Sequence, residues 1–158
     1  MQDIAGCRLI VPDIANQEVV VQSLQKAFER TTIVDRRQKP SHGYRAVHVI
    51  VRCLDKMVEI QVRTLLQHLW AELSERSSDV LDPGLKYGGG DDRIQRVLMH
   101  ISKMVAEEEV VGLANVPLQG SDEETKAQFV VSDEEVSQGK QKTLEILHQA
   151  LDIISKYQ

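Results

Sequence analysis

The chain has 158 residues, the usual size of one domain, and a formal net charge of −5 from 19 basic and 24 acidic residues. A hydrophobic content of 42% and a charged content of 27% are typical of a globular protein and argue against a fibrous or disordered chain. The acidic balance provides no overall field that would attract nucleic acid, so any phosphate binding must be local.

Sorting signals and cysteine usage indicate an ordinary intracellular domain. No basic and apolar leader and no apolar run of bilayer length is found, which predicts a cytoplasmic protein without membrane contact. Cys7 and Cys53 show neither metal-ligand spacing nor the density of a disulfide framework. Both are predicted to be small buried residues.

Strand and helix patterns alternate at the start of the chain. The apolar, β-branched run Ile4–Val11 predicts a buried strand, and helical spacing of apolar residues predicts a helix over about Ile14–Arg30. Asp13 is suited to cap that helix. A short β-branched stretch, Thr31–Asp35, is followed by a polar loop, Arg36–Gly43, which contains proline and glycine.

The next segment predicts a hairpin and a capped helix. Arg45–Arg52 and Met57–Arg63 are two strand patterns close enough along the chain to pair as an antiparallel hairpin. Thr64 then begins a helix, because Gln67 three residues later completes a capping-box pattern. The run Leu85–Gly90 ends the helical pattern.

Helices dominate the second half. One begins at Asp91, Gly112–Ser132 reads mainly as loop, and a last helix covers about Asp133–Tyr157. A mixed sheet followed by helices predicts an α+β fold, with helices flanking the sheet and a helical C-terminal part. We divide the chain into a core over residues 1–90 and a helical extension over residues 91–158, which packs on the core or forms an oligomer contact.

One face of the predicted hairpin carries side chains suited to chemistry. Side chains alternate along a strand, so one face is apolar and formed by Val47, Val49, Val51, Val58, Ile60 and Val62. The opposite face carries Tyr44, His48, Glu59, Gln61 and Arg63. These groups together can hold a metal ion, phosphates and a base. The same pattern also fits a sheet whose outer face simply meets water.

Three further features bear on phosphate and metal binding. Mg²⁺ prefers one or two carboxylates with substrate phosphates and water, so Asp3 is a candidate to pair with Glu59. Basic side chains of the neighbouring loop either neutralise polyphosphate charge or form a solvated turn: Arg36, Arg37 and Lys39. Gly88–Gly90 lacks the context of a Walker motif and is predicted to be a flexible break.

Three segments in this order and spacing resemble the RelA/SpoT synthetase domain: Gln2–Arg8, Gly43–His48 and Val58–Thr64. Leu69–Glu72 and Lys86–Tyr87 are similar to the segments that come after these motifs in small alarmone synthetases, so the resemblance covers about residues 1–87. The resemblance implies a nucleotidyltransferase-like core that transfers pyrophosphate from ATP to the 3′-hydroxyl of GDP or GTP with Mg²⁺.

The resemblance also implies roles for individual residues. The family's metal-binding carboxylates are matched by Asp3 and Glu59, and the glutamate that activates the attacking hydroxyl is matched by Glu59. The tyrosine that stacks on guanine is matched by Tyr44. Other residues of the same pocket are matched by His48, Gln61 and Arg63. The family's basic contacts to phosphates fall at Arg36, Arg37 and Lys39.

Departures from the family pattern lead to expectations of their own. The family's lysine and asparagine just before the Gly-Tyr pair are missing, and Pro40, Ser41 and His42 stand there instead. The family's later Glu-His pair is replaced by Ser74 and Glu75. The family's basic segment that grips ATP ahead of the Asp3 motif has no counterpart, so we expect weak or absent synthetase activity from these 158 residues. Two alternatives stay open: a pyrophosphokinase that modifies the 3′ end of tRNA, and a non-catalytic module for guanosine-nucleotide binding or homo-oligomerisation.

Overall fold

The structure is a computed structural model that describes residues 5–53, 56–114 and 133–157. Four strands and four α-helices are present in these residues, and the α+β prediction is confirmed. In chain order the elements are β1 (Ala5–Val11), α1 (Ile14–Ala27), β2 (Thr31–Asp35), β3 (Val47–Cys53), β4 (Lys56–Thr64), α2 (Leu65–Val80), a short 3₁₀ helix (Leu85–Tyr87), α3 (Asp92–Ala114) and α4 (Asp133–Ser155).

The strands form one mixed sheet in the order β1-β4-β3-β2. The predicted hairpin is confirmed, because β3 and β4 pair antiparallel with Val47 opposite Val62 and His48 opposite Gln61. Strand β1 pairs parallel with β4, and β2 pairs antiparallel with β3. The two central strands therefore carry the candidate site, while β1 and β2 form the edges.

One face of the sheet is covered by α1. The valines and isoleucine predicted to share a layer form an apolar cluster with Val21 of α1, and the alternation read from the sequence is confirmed. Gln17 of α1 is fully buried under this face and donates hydrogen bonds to the Val62 carbonyl and to Gln67 Oε1. These bonds fix α1 against both β4 and α2.

A second apolar cluster lies among the later helices. It joins α2, α3 and α4 through buried residues that include Trp70, Leu98 and Leu147, and the Trp70 indole donates to the Leu98 carbonyl at 2.8 Å. None of the helices within the described residues combines the length and the apolar character needed to cross a bilayer. The division of the chain near residue 90 stays a prediction, although α2 and α3 share this cluster.

The helix ends follow the predicted caps closely. Asp13 accepts a hydrogen bond from the Asn16 amide at the start of α1, and Thr64 and Gln67 form both bonds of a capping box at the start of α2. Helix α1 ends earlier than predicted because Phe28 is already extended. The predicted loop 112–132 begins later than expected, since α3 continues to residue 114, and residues 115–132 lie outside the described part of the chain.

The prediction that both cysteines are buried is wrong. Cys7 and Cys53 are exposed. Cys7 lies on the edge strand β1, which α1 covers little, and Cys53 is the last residue of β3 beside the hairpin connection. The prediction that the first strand is buried is wrong as well, since Leu9 and Ile10 of β1 are exposed. Composition alone predicts burial of an apolar run, but an edge strand is buried only where another element covers it.

Candidate active site

The sheet face opposite α1 carries the candidate site. Because β4 alternates its side chains, Glu59, Gln61 and Arg63 all emerge on this face, and the β3–β4 register places His48 beside Gln61. Tyr44 lies just before β3, in a tight turn where Ser41 and Tyr44 exchange backbone hydrogen bonds. The turn and the two strands thus bring five predicted side chains to one place.

These five side chains form a closed circuit of hydrogen bonds, which we call the polar ring: Tyr44, His48, Glu59, Gln61 and Arg63. The Tyr44 hydroxyl lies 2.9 Å from His48 Nε2, and His48 Nδ1 lies 2.7 Å from Glu59 Oε1. Gln61 donates to Glu59 Oε2 at 3.1 Å. Arg63 closes the circuit by donating to Gln61 Oε1 at 2.8 Å and to the Tyr44 hydroxyl at 2.9 Å.

The hydrogen bonds assign the protons of the ring. An ionised Glu59 can only accept, so His48 Nδ1 carries a proton, and in the neutral imidazole Nε2 then accepts from the Tyr44 hydroxyl. Burial raises the pKa of Tyr44, although the positive charge of Arg63 acts in the opposite direction. The phenol therefore stays protonated at neutral pH and keeps its donor role.

The Glu59 carboxylate is held in its charged form. Partial burial alone would raise its pKa, but hydrogen bonds from His48 and Gln61 and the positive charge of Arg63 outweigh burial and bring the pKa below the ordinary value of 4.5. Each carboxylate oxygen accepts one protein hydrogen bond and retains a lone pair. Glu59 can therefore contact a cation or a hydroxyl without leaving the ring.

Arg63 is the unusual member of the ring because its guanidinium is buried. Only 3% of the residue is exposed, and its carbon Cζ lies 4.9 Å from the centre of the Tyr44 ring, over its face. Nε and Nη1 of Arg63 are buried without a hydrogen-bond partner among the described residues. The positive charge of Arg63 acts on the nearby Glu59 carboxylate, and its two unused donors favour a further acceptor group at this face.

The carboxylate chemistry fits a magnesium ion in part. Glu59 supplies one hard oxygen donor with free lone pairs, and Mg²⁺ needs one or two protein carboxylates when phosphates and water complete its shell. No group of three or more potential metal-ligating side chains occurs within the described residues. Asp3, the predicted second ligand, lies outside the described residues, so its pairing with Glu59 stays a prediction.

The three predicted basic contacts differ in their surroundings. Arg36 and Lys39 are exposed. Arg37 instead is partly buried and forms ion pairs with Asp35 and Glu18, both at 2.6 Å. Because Glu18 belongs to α1, which covers the opposite sheet face, the structure does not bring Arg37 into the polar ring.

Sequence reasoning missed one cation of the site. Arg8 on β1 is exposed and pairs in register with Gln61, so its side chain leaves the sheet on the same face as the ring. The feature that places Arg8 at the site is the parallel register between β1 and β4. That register joins strands more than forty residues apart and cannot be read from local alternation.

Comparisons with known proteins show which family and which folds this chain is similar to. The family described as a region found in RelA / SpoT proteins matches residues 1–78. Residues 1–78 are a RelA/SpoT domain. An uncharacterized protein of Mycobacterium tuberculosis is 38% identical to this chain over 90 residues, which are 55% of the chain and 33% of that protein. The chain therefore spans about a third of the length of the curated relatives it matches.

Solved structures extend the likeness of the RelA/SpoT domain to three dimensions. Small alarmone synthetase 2 from Bacillus subtilis matches with a TM-score of 0.58 at 25% identity, over 72% of this chain and 66% of that one. A GTP pyrophosphokinase family protein from Streptococcus pneumoniae matches with a TM-score of 0.51 at 28% identity, over 83% and 66%. Small alarmone synthetase 1 from B. subtilis, bound to its product pppGpp, matches with a TM-score of 0.51 at 25% identity, over 70% and 60%.

Proposed function

We propose that the polar ring is the acceptor site of a pyrophosphokinase that transfers pyrophosphate from ATP to the 3′-hydroxyl of GDP or GTP. The observation that carries the proposal is the Glu59 carboxylate, held ionised among an imidazole, an amide and a buried guanidinium on the open face of a RelA/SpoT domain. The product pppGpp bound to a structurally similar synthetase supports the same substrate class.

The proposed reaction needs one deprotonation and one displacement. As the 3′-oxygen of the guanosine nucleotide bonds to the β-phosphorus of ATP, the bond from that phosphorus to the α–β bridging oxygen breaks and AMP leaves. The hydroxyl proton passes to Glu59, whose free lone pairs face away from its bonds to His48 and Gln61. Positioning and charge stabilisation supply most of the catalysis in phosphoryl transfer, so the rigidity of the ring is as important as the base.

His48 and Arg63 set the properties of that base. His48 Nδ1 fixes one oxygen of Glu59, and Tyr44 fixes the other side of the imidazole. A carboxylate with a lowered pKa is always ionised at neutral pH but is a weak base by itself. Mg²⁺ held by Glu59 and Asp3 would offset this weakness by making the 3′-hydroxyl more acidic and by neutralising phosphate charge.

The remaining predicted residues take binding roles in this proposal. We assign stacking on the guanine to Tyr44, since its aromatic ring borders a cavity beside the polar ring. Exposed cations at Arg8, Arg36 and Lys39 contact the phosphates. Arg37 is left out of this set because its guanidinium is engaged by Asp35 and Glu18.

The test is the substitution Glu59→Gln, which keeps the size of the side chain and removes the base. The wild-type rate of transfer from ATP to GDP is expected to be weak, and Glu59→Gln should lower it by a factor of about 100 or more, while the affinity for GDP stays within about threefold. Product formation is followed by chromatography of labelled nucleotide, and GDP affinity by calorimetry. Glu107→Gln, an exposed carboxylate on α3, is the matched control and should leave both values unchanged.

Acceptor choice is tested in the same assay with GDP, GTP and deacylated tRNA offered separately. Product with GDP or GTP supports the proposal. Product with tRNA alone would replace it by the tRNA 3′-end reaction, against which the net charge of −5 counts. Tight GDP binding without product from any acceptor would instead identify a non-catalytic guanosine-nucleotide module.

A further inference from the structure

A small cavity adjoins the polar ring and shares Tyr44 with it. Its volume is about 180 Å³, and its walls come from the turn before β3, from α2 and from the 3₁₀ segment: Ser41, His42, Tyr44, Trp70, Ala71, Ser74, Glu75, Lys86 and Tyr87. Cavities that enclose whole drug-sized ligands are usually about 300 Å³ or larger. This one therefore suits a part of a nucleotide, such as its base.

Part of the cavity wall is aromatic, and Trp70 is the aromatic side chain held most firmly. The Trp70 indole is fixed by its hydrogen bond to the Leu98 carbonyl, and Gly43 packs so closely on it that an added Cβ would lie 2.7 Å from Trp70 Cζ2. Tyr87 is 75% exposed, although a large aromatic ring gains free energy from being covered. Arg63 lies over one face of the Tyr44 ring and Lys86 Nζ lies 5.8 Å from the centre of the Tyr87 ring, so a flat ligand would use the opposite face of either ring.

The cavity lining includes one carboxylate, Glu75, which has no hydrogen-bond or ion-pair partner among the described residues. The neighbouring carboxylate of α2, Glu72, forms an ion pair with Arg76 at 2.5 Å. Glu75, one turn away, is exposed and forms no hydrogen bond or ion pair with the described residues. An ionised carboxylate can only accept hydrogen bonds, so it is complementary to a ligand edge that presents two neighbouring N–H donors.

We infer that Glu75 selects guanine at this cavity by accepting hydrogen bonds from the N1–H and the 2-amino group of the base. The inference rests on the proposed function and adds to it the group that reads the base. Adenine presents an acceptor at N1, which a carboxylate repels, and hypoxanthine lacks the 2-amino donor. Lys86 also lines the cavity, with its ammonium over the Tyr87 ring, and supplies a donor suited to the O6 oxygen of guanine.

The experiment compares GDP with inosine diphosphate, which differs only by the missing 2-amino group. Calorimetric titration of the wild-type protein should give a preference for GDP of about tenfold. In Glu75→Ala the ratio of the two affinities should fall to within about twofold, mainly through weaker GDP binding. Glu75→Gln, which keeps the shape of the side chain and removes its charge, should reduce the ratio as well.

A matched control and the opposing outcomes complete the design. Asp79→Ala removes an exposed carboxylate one turn further along α2, outside the cavity, and should keep the wild-type ratio. If both nucleotides bind but Glu75→Ala keeps the tenfold preference, the role of Glu75 is refuted and the proposed function stands. If the wild-type protein binds neither nucleotide, the proposed function fails together with this inference.

Discussion

At the scale of single residues, the sharpest steric constraint near the site falls on a glycine. Gly88 follows the 3₁₀ helix with φ at 79°, and a Cβ there would lie 2.1 Å from His42 Nδ1. His42 itself adopts a positive φ of 50° in the turn before Tyr44. The glycine run predicted to be a flexible break thus gives the His42 ring room to line the cavity.

We predict that Gly88→Ala weakens the protein in two ways. The added methyl group displaces His42 and strains the left-handed backbone, so stability should fall by at least about 1 kcal/mol. Binding of GDP and inosine diphosphate should weaken by a similar factor, because the cavity wall moves while Glu75 is untouched. Urea unfolding and calorimetry measure the two effects.

Gly112→Ala is the control for that substitution. Gly112 lies in α3 with open space around its Cα, so alanine should stabilise the helix by about 0.5–1 kcal/mol and leave nucleotide binding unchanged. Equal stability and equal affinity in Gly88→Ala and wild type would show that the contact between Gly88 and His42 has no importance.

At the scale of elements, α3 is anchored to the junction between β4 and α2 by a partly buried carboxylate. Glu109 of α3 accepts a hydrogen bond from the Thr64 hydroxyl at 2.5 Å and another from Gln67 Nε2 at 3.0 Å. Burial raises the pKa of Glu109, although these two hydrogen bonds act in the opposite direction. The capping pair was readable from the sequence, but its partly buried partner was only one member of an acidic run.

The raised pKa of Glu109 predicts a pH dependence of stability. A carboxyl whose pKa is higher in the folded than in the unfolded state stabilises the fold most below its ordinary value of 4.5, and this contribution is lost as the pH rises through the raised value. Glu109→Gln should therefore lose less stability than wild type as the pH rises from the ordinary value of 4.5 through the raised pKa. The amide can still bond to Thr64, whose hydroxyl accepts as well as donates.

Unfolding midpoints in urea at several pH values measure this difference. Glu107→Gln changes an exposed carboxylate on the same helix and should retain the wild-type dependence on pH. Parallel curves for wild type and Glu109→Gln would mean that the partly buried carboxyl contributes nothing to the pH response of folding.

At the scale of the whole molecule, two apolar clusters support the two sides of the site. The cluster under the sheet involves α1, and the cluster among the later helices contains Trp70, the single tryptophan of the chain. Tyr44 packs against the helical cluster while belonging to the polar ring. The helices therefore help to position the site even though they carry no member of the ring.

We predict that Leu147→Ala, in the centre of the helical cluster, costs about 2–5 kcal/mol. Because β4 of the sheet cluster passes directly into α2 of the helical cluster, Trp70 fluorescence and far-ultraviolet circular dichroism should report one coincident transition. Ile153→Ala, at an exposed position of α4, should change stability by no more than about 0.5 kcal/mol. A fluorescence transition that separates from the circular dichroism transition would show that the helices unfold independently of the sheet.

Local periodicity made much of this architecture predictable. Alternation in β3 and β4 sufficed to group the five ring residues on one face and the valines on the other. Local periodicity could not predict which distant segments pair with each other. The exposed Arg8 depends on a parallel register with β4, and the cavity combines a turn, a helix and a 3₁₀ segment that are separated by tens of residues.

Strand β4 passes into α2 without any linker, since Thr64 is both the last residue of the strand and the cap of the helix. Glu59 and Glu75 therefore sit on one continuous stretch of regular backbone, with no hinge between them. In the proposed reaction, Glu75 binds the purine and Glu59 is the base for the 3′-hydroxyl of the same nucleotide, so one continuous backbone would hold both groups. Under that proposal, base recognition and alignment of the hydroxyl are coupled through the fold, and an inhibitor that contacts both carboxylates should bind more tightly than one that contacts either alone.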